Sequence, residues 1–134
     1  MAGLTERMAA AERALTTFVE VKGLGLPALA ARDVAILRFT YTFEAIWKAT
    51  QLLLAEQHGV RAVSPKTAIR SAREIGWLSI EDTVAALKMA DDRNLAAHVY
   101  NEKLAAELGA RLAGHGKVLA RWLKAMLAAW RKGG

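Results

Sequence analysis

Residues 79–100 read SIEDTVAALKMADDRNLAAHVY. The stretch opens as a helix opens. Ser79 carries a hydroxyl suited to the first free backbone N–H groups, and Asp82 follows three positions later, a capping-box variant with Asp in place of Glu. Ile80, Val84 and Leu87 then recur at spacings of four and three, which is one face of a helix. The same rhythm continues through Asp91, Asn94 and His98, so a stripe that begins apolar turns polar without changing face. The expectation is a helix running from Ser79 to about His98 or Tyr100 with this face packed inward. Its polar end would then enter a cleft or an interface, because buried polar groups need partners.

Outward from this segment the pattern stays helical. The two prolines, Pro27 and Pro65, both lie between periodic segments, and nothing alternates with period two for long enough to read as a strand. A first helix is expected from about Thr5, as N-cap, to about Lys22, with Leu4, Met8, Ala11, Leu15 and Phe18 as its apolar stripe. A long second helix spans about Ala28 to His58, carries Ile36, Phe39, Phe43, Ile46, Trp47, Leu53 and Leu54, and is closed by Gly59. Ser64 and Pro65 start a third that ends near Gly76. Asn101 caps a fifth, with Leu104, Leu108, Leu112, Leu119, Trp122, Met126 and Trp130 along one side and a kink or break expected at Gly114 and Gly116. Short connections favour an all-α, antiparallel up-and-down bundle of four to five helices, with residues 1–134 forming one domain.

Composition narrows the function classes. Hydrophobic residues make up 54% and charged residues 24%, a globular balance. No apolar run approaches the ~18 residues of a membrane span, and MAGLTERMAAAERAL mixes acids with bases and lacks the apolar centre of a signal peptide. The absence of cysteine excludes disulfides and thiolate metal sites and agrees with a cytoplasmic location. The net charge of +6 lies wholly beyond Glu107, in Arg111, Lys117, Arg121, Lys124, Arg131 and Lys132, since thirteen bases and thirteen acids cancel before it. Two readings of that end stand side by side: cations suited to a helix C-terminus, and a footprint for a polyanion such as RNA.

The reactive side chains concentrate at residues 91–100. A histidine titrating near neutrality can take or give a proton, and a guanidinium can hold a phosphate and stabilise charge developing on it. RNA supplies its own nucleophile, the 2′-hydroxyl, so metal-free cleavage needs little more than a base, an acid and a cation around one phosphodiester, and a dimer would present two copies of His98 for base and acid beside Arg93. One geometric difficulty arises. Arg93 lies five residues before His98, about 140° away on an ideal helix, so the two converge only if the helix loosens, if Arg93 reaches around, or if a two-fold partner completes the site. Asp91 and Asp92, adjacent on the helix, point in different directions and are expected as supporting polar groups that pair near Arg93 or position Arg93 or His98. His58 reads as a structural residue at a helix end, and His115 as a residue without a nearby acidic partner. The tryptophans read as core and interface. No metal-ligand spacing and no phosphate-binding glycine loop is present, so neither metal nor cofactor is expected.

RNLAAHVY, residues 93–100, has the form Arg, four residues, His, any residue, Tyr, and resembles the signature of HEPN domains, specifically the HepT toxin of HEPN/MNT toxin–antitoxin pairs. RFTYTFEAIWK, residues 38–48, is similar to the second-helix motif of the nucleotidyltransferase substrate-binding protein branch, and SPKTAIRSAREIGWL falls where that family has its third helix. The likeness covers roughly residues 5–130. It implies a prokaryotic helical-bundle homodimer with the fourth-helix motifs facing a shared cleft. It also implies an endoribonuclease in which Arg93 and His98 are catalytic and Asn94 lies in the site. An MNT nucleotidyltransferase would act as antitoxin by adding AMP to Tyr100. The older name of the branch implies an alternative, a non-catalytic subunit that binds substrate for a separate nucleotidyltransferase.

Overall fold

The computed structural model describes residues 3–133, and among them there are five α-helices, two 3-10 turns and no strand. The helices are α1 (Leu4–Val19), α2 (Ala28–His58), α3 (Pro65–Ile75), α4 (Ile80–Leu95) and α5 (Glu102–Gly133). The all-α bundle expected from the sequence is what forms. At 31 and 32 residues, α2 and α5 are the long members, each roughly 45 Å from end to end. α2 is central and packs against all four others, while α1 lies on α2 and α5 and touches neither α3 nor α4.

The local signals explain most boundaries. Ser64 Oγ accepts the Thr67 N–H at 3.2 Å with Pro65 in the first turn, and Gly76 ends α3 in the left-handed region at φ 99°. Gly59 closes α2 in the same way at φ 63°. Ser79 Oγ accepts the Asp82 N–H at 3.0 Å. The reciprocal half of that capping box is not made, because the Asp82 carboxylate turns to Arg121 on α5. Asn101 Oδ1 accepts the Leu104 N–H at 3.2 Å and starts α5. Replacing Ser64 by Ala is expected to lower stability by about 1 kcal/mol, measurable as a shift in urea midpoint at unchanged slope.

Three boundary expectations are corrected. Thr5 is not the N-cap of α1; Gly3 occupies that position without a side-chain bond. The first helix stops at Val19 and tightens into a 3-10 turn over Glu20–Gly23. Gly114 and Gly116 neither kink nor split α5, whose flanking turns bury Leu112, His115, Val118 and Leu119 and so hold it continuous by packing.

The core centres on α2 and α5. Phe18 and Phe39, Phe39 and Phe43, and Phe43 and Trp122 meet with ring centroids 6.2, 6.3 and 6.4 Å apart, separations at which tilted aromatic pairs attract. Trp122 and Trp77 are buried and Trp47 and Trp130 half-buried, as their helical positions led one to expect.

Candidate functional site

Helix α4 is turned from the orientation expected: of the stripe Ile80, Val84 and Leu87, only Leu87 packs partly against the core. Its buried residues are Thr83, Ala86, Met89, Ala90 and Asp92. Ile80 and Val84 are 62% and 52% exposed, and Asp91, Asn94 and His98 share their outward side. The cause lies on α5. Arg121 forks onto Asp82 with bonds of 2.8 and 2.9 Å, and Arg111 forks onto Asp92 with bonds of 2.9 and 2.8 Å. These bidentate pairs, with the small side chains of Ala86 and Ala90, turn Asp82 and Asp92 toward α5 and leave Ile80 and Val84 outward. Two of the six cations in the basic end are therefore committed to internal ion pairs.

The helix does loosen where the Arg93–His98 spacing required it. Regular α-helix ends at Leu95, and Ala96–His98 form a 3-10 turn that leads into α5. His98 is exposed on that turn, and Tyr100, 85% exposed, brings its hydroxyl to 3.4 Å from His98 Nδ1 with the rings edge to face. If Nδ1 carries the proton and donates it to Tyr100, the Nε2 lone pair is left as a base; with both nitrogens protonated the ring can instead give a proton from Nε2.

Arg93 sits behind this edge, half-buried. Its Nη1 donates to Glu44 Oε1 and its guanidinium carbon lies 5.8 Å from the Phe43 ring centroid, both on α2. The carboxylate and the ring hold the cation in place, and Nη2 makes no protein hydrogen bond among the described residues. Glu44 Oε1 also accepts from Trp47 Nε1 at 3.2 Å, and Lys48 Nζ stands 3.7 Å from Oε2. Sequence reading missed Glu44 as the partner of Arg93, although both fall inside the motifs it singled out. Arg93 and Asn94 line one wall of a groove of about 240 Å³ whose other wall is Ser64, Pro65 and Lys66 at the start of α3. Among the described residues no hydrogen bond joins Arg93 to His98.

The two acids part company. Asp91 faces outward and pairs with Lys66 at 2.8 Å. Asp92 is buried, with His115 Nε2 at 2.6 Å from its carboxylate beside the Arg111 fork. His115 stacks on Phe39 with centroids 5.2 Å apart. Asp92 thus contacts neither Arg93 nor His98, and His115 does have an acidic partner, one supplied from 23 residues away. The signal was available: His115 falls between Leu112 and Leu119 on the apolar stripe of α5. Burial alone would push the Asp92 carboxyl up; Arg111 and His115 outweigh it and hold it below the ordinary 3.8.

Residues 6–128 match the family described as nucleotidyltransferase substrate binding protein like. The chain belongs to that family. A crystal structure of a protein from Thermus thermophilus is similar to it at 46% identity and a TM-score of 0.81, covering 87% of this chain and 98% of that one. No curated protein matches. The family's description implies association with a nucleotidyltransferase, and no helix among the described residues is long and apolar enough to cross a membrane. Within this member of the nucleotidyltransferase substrate-binding family, RNLAAHVY forms the end of α4 and the turn into α5, and RFTYTFEAIWK forms the middle of α2 that carries Glu44 and Phe43.

Proposed function

We propose that the protein is a HepT-like, metal-independent endoribonuclease that acts as a homodimer and is restrained by an MNT-type nucleotidyltransferase. The observation that carries this reading is the edge at residues 93–100: exposed His98 and Asn94, and behind them a guanidinium fixed by Glu44 and Phe43 with Nη2 uncommitted. The exposed Ile80 and Val84 on the same side of α4 support an interface there, since apolar side chains beside polar ones are what a two-fold contact would cover.

In the proposed reaction His98 Nε2 of one protomer takes the proton of the ribose 2′-hydroxyl. The 2′-oxygen attacks phosphorus, and the bond from phosphorus to the 5′-oxygen breaks. The partner protomer's second copy of the same histidine gives that oxygen its proton. Products are a 2′,3′-cyclic phosphate and a 5′-hydroxyl. Arg93 holds a non-bridging oxygen as charge gathers on it, and Asn94 donates a further hydrogen bond. Regulation follows from exposure. The Tyr100 hydroxyl attacks the α-phosphorus of ATP in the nucleotidyltransferase, pyrophosphate leaves, and the AMP carried on Tyr100 covers His98 beside it.

The test is RNA incubated with the purified protein in EDTA beside His98→Ala and Arg93→Ala. Cleavage by the parent and by neither variant is expected. A second reading, a non-catalytic binding subunit, is favoured by the family's description and by the Glu44 carboxylate that already occupies Arg93. That reading gains if the parent leaves RNA intact yet forms a stable complex with its nucleotidyltransferase.

A further inference from the structure

A larger groove, about 500 Å³, lies between the end of α1, the start of α2 and the middle of α5 and shares no lining residue with the groove beside Arg93. Phe18 and Leu112 are among its apolar lining, and Ala31, Ala35, Ala113 and Gly116 leave its walls nearly flat. Flat walls of this kind accept the side-chain ridge of another helix. Its charged lining is one-sided: Lys22, Arg32 and Lys117 border it and no acid does. Arg32 is committed to Glu102 and Asp33, whereas Lys22 and Lys117 make no ion pair among the described residues. Val19, Leu24, Leu26 and Leu29 are 38–64% exposed, four of the ten large apolar side chains left exposed among the described residues, and they cluster within residues 19–29. Apolar surface that continues past the groove in this way exceeds what a small ligand would cover and suits a macromolecular contact.

We infer that this groove docks an amphipathic helix of the nucleotidyltransferase partner, with small apolar side chains seated on Phe18 and Leu112 and flanking carboxylates opposite Lys22 and Lys117. The assignment rests on the partner in the reading above and not on the RNase chemistry. Its test is calorimetric titration of the full chain with its cognate nucleotidyltransferase at low and moderate salt. The parent is compared with a Lys22→Glu/Lys117→Glu double variant, with Ala113→Leu, which fills the groove from an exposed position, and with Leu37→Asp, an exposed residue of α2 outside the groove. Circular dichroism confirms that each variant is folded.

The expected result is at least a tenfold loss of affinity in both groove variants, weakening of parental binding with salt, and no change in Leu37→Asp. Parental affinity in the groove variants, or a loss confined to Leu37→Asp, would overturn the assignment. So would dodecanoate that binds the groove while leaving the complex intact, since the groove would then belong to a small amphiphile. No complex with the parent would overturn the docking and the partner together, while the RNA assay would still judge the nuclease on its own.

Discussion

Asp92→Ala is expected to destabilise the fold by about 2–4 kcal/mol, the range for removing one partner of a buried ion pair, reduced because Arg111 is partly exposed. The side chain of Asp92 is 8% exposed and that of Arg111 42%, so the substitution leaves the arginine fork with access to water but strands His115, 9% exposed, against Phe39 without its acceptor. The cluster is also the tie that orients α4. The variant should therefore lose the near-ultraviolet signal of the packed aromatics at lower urea than the parent. The pH dependence has a definite sign. A carboxyl held below its ordinary 3.8 contributes stability at pH values above that figure and loses it as pH falls through the folded value. The gap between parent and Asp92→Ala should be full near neutrality and close below about pH 4. Asp82, lowered by the Arg121 fork against its own partial burial, titrates in the same sense, though Arg121 is well exposed and the contribution small.

His98→Ala is expected to cut RNA cleavage by about 100-fold or more, the usual contribution of a positioned proton-transfer group. Arg93→Ala should cost on the order of 100-fold as well, from lost stabilisation of the phosphoryl charge. The two differ in signature. His98 is exposed on a 3-10 turn, and among the described residues its side chain bonds only Tyr100, so its loss should leave the melting temperature near that of the parent. Arg93 bonds Glu44 and packs over Phe43, so its removal leaves a half-buried carboxylate with Trp47 and Lys48 alone and should lower stability too. Arg93→Lys keeps the charge but loses the planar fork, and is expected to fold well and cleave poorly. Parent-like cleavage by both alanine variants would remove the proposed site.

The fold could be read from the chain because its boundaries are written in local chemistry. Ser64 with Pro65, Gly59, Gly76, Ser79 and Asn101 each act on backbone groups one to four residues away, and each does what its chemistry dictates. The orientation of α4 could not be read, because it is decided at long range. Ile80, Val84 and Leu87 look like a core stripe, and the two arginines of α5 that claim Asp82 and Asp92 lie 39 and 19 residues further along the chain. Likewise the Arg93–Glu44 pair spans 49 residues, and neither residue carries a local sign of the other. The loosened turn at Ala96–His98 was legible in outline, since Arg93 and His98 cannot share a stripe on an ideal helix.

The central claim is tested most directly by the ends of the RNA fragments. A chimeric oligonucleotide with a single ribose among deoxyriboses, incubated with the purified protein in EDTA, should be cut only after that ribose. Mass spectrometry should then find a 2′,3′-cyclic phosphate on one fragment and a 5′-hydroxyl on the other. An uncut oligonucleotide under conditions where the parent is folded and dimeric, or fragments that still form when the remaining 2′-hydroxyl is removed, would contradict the account.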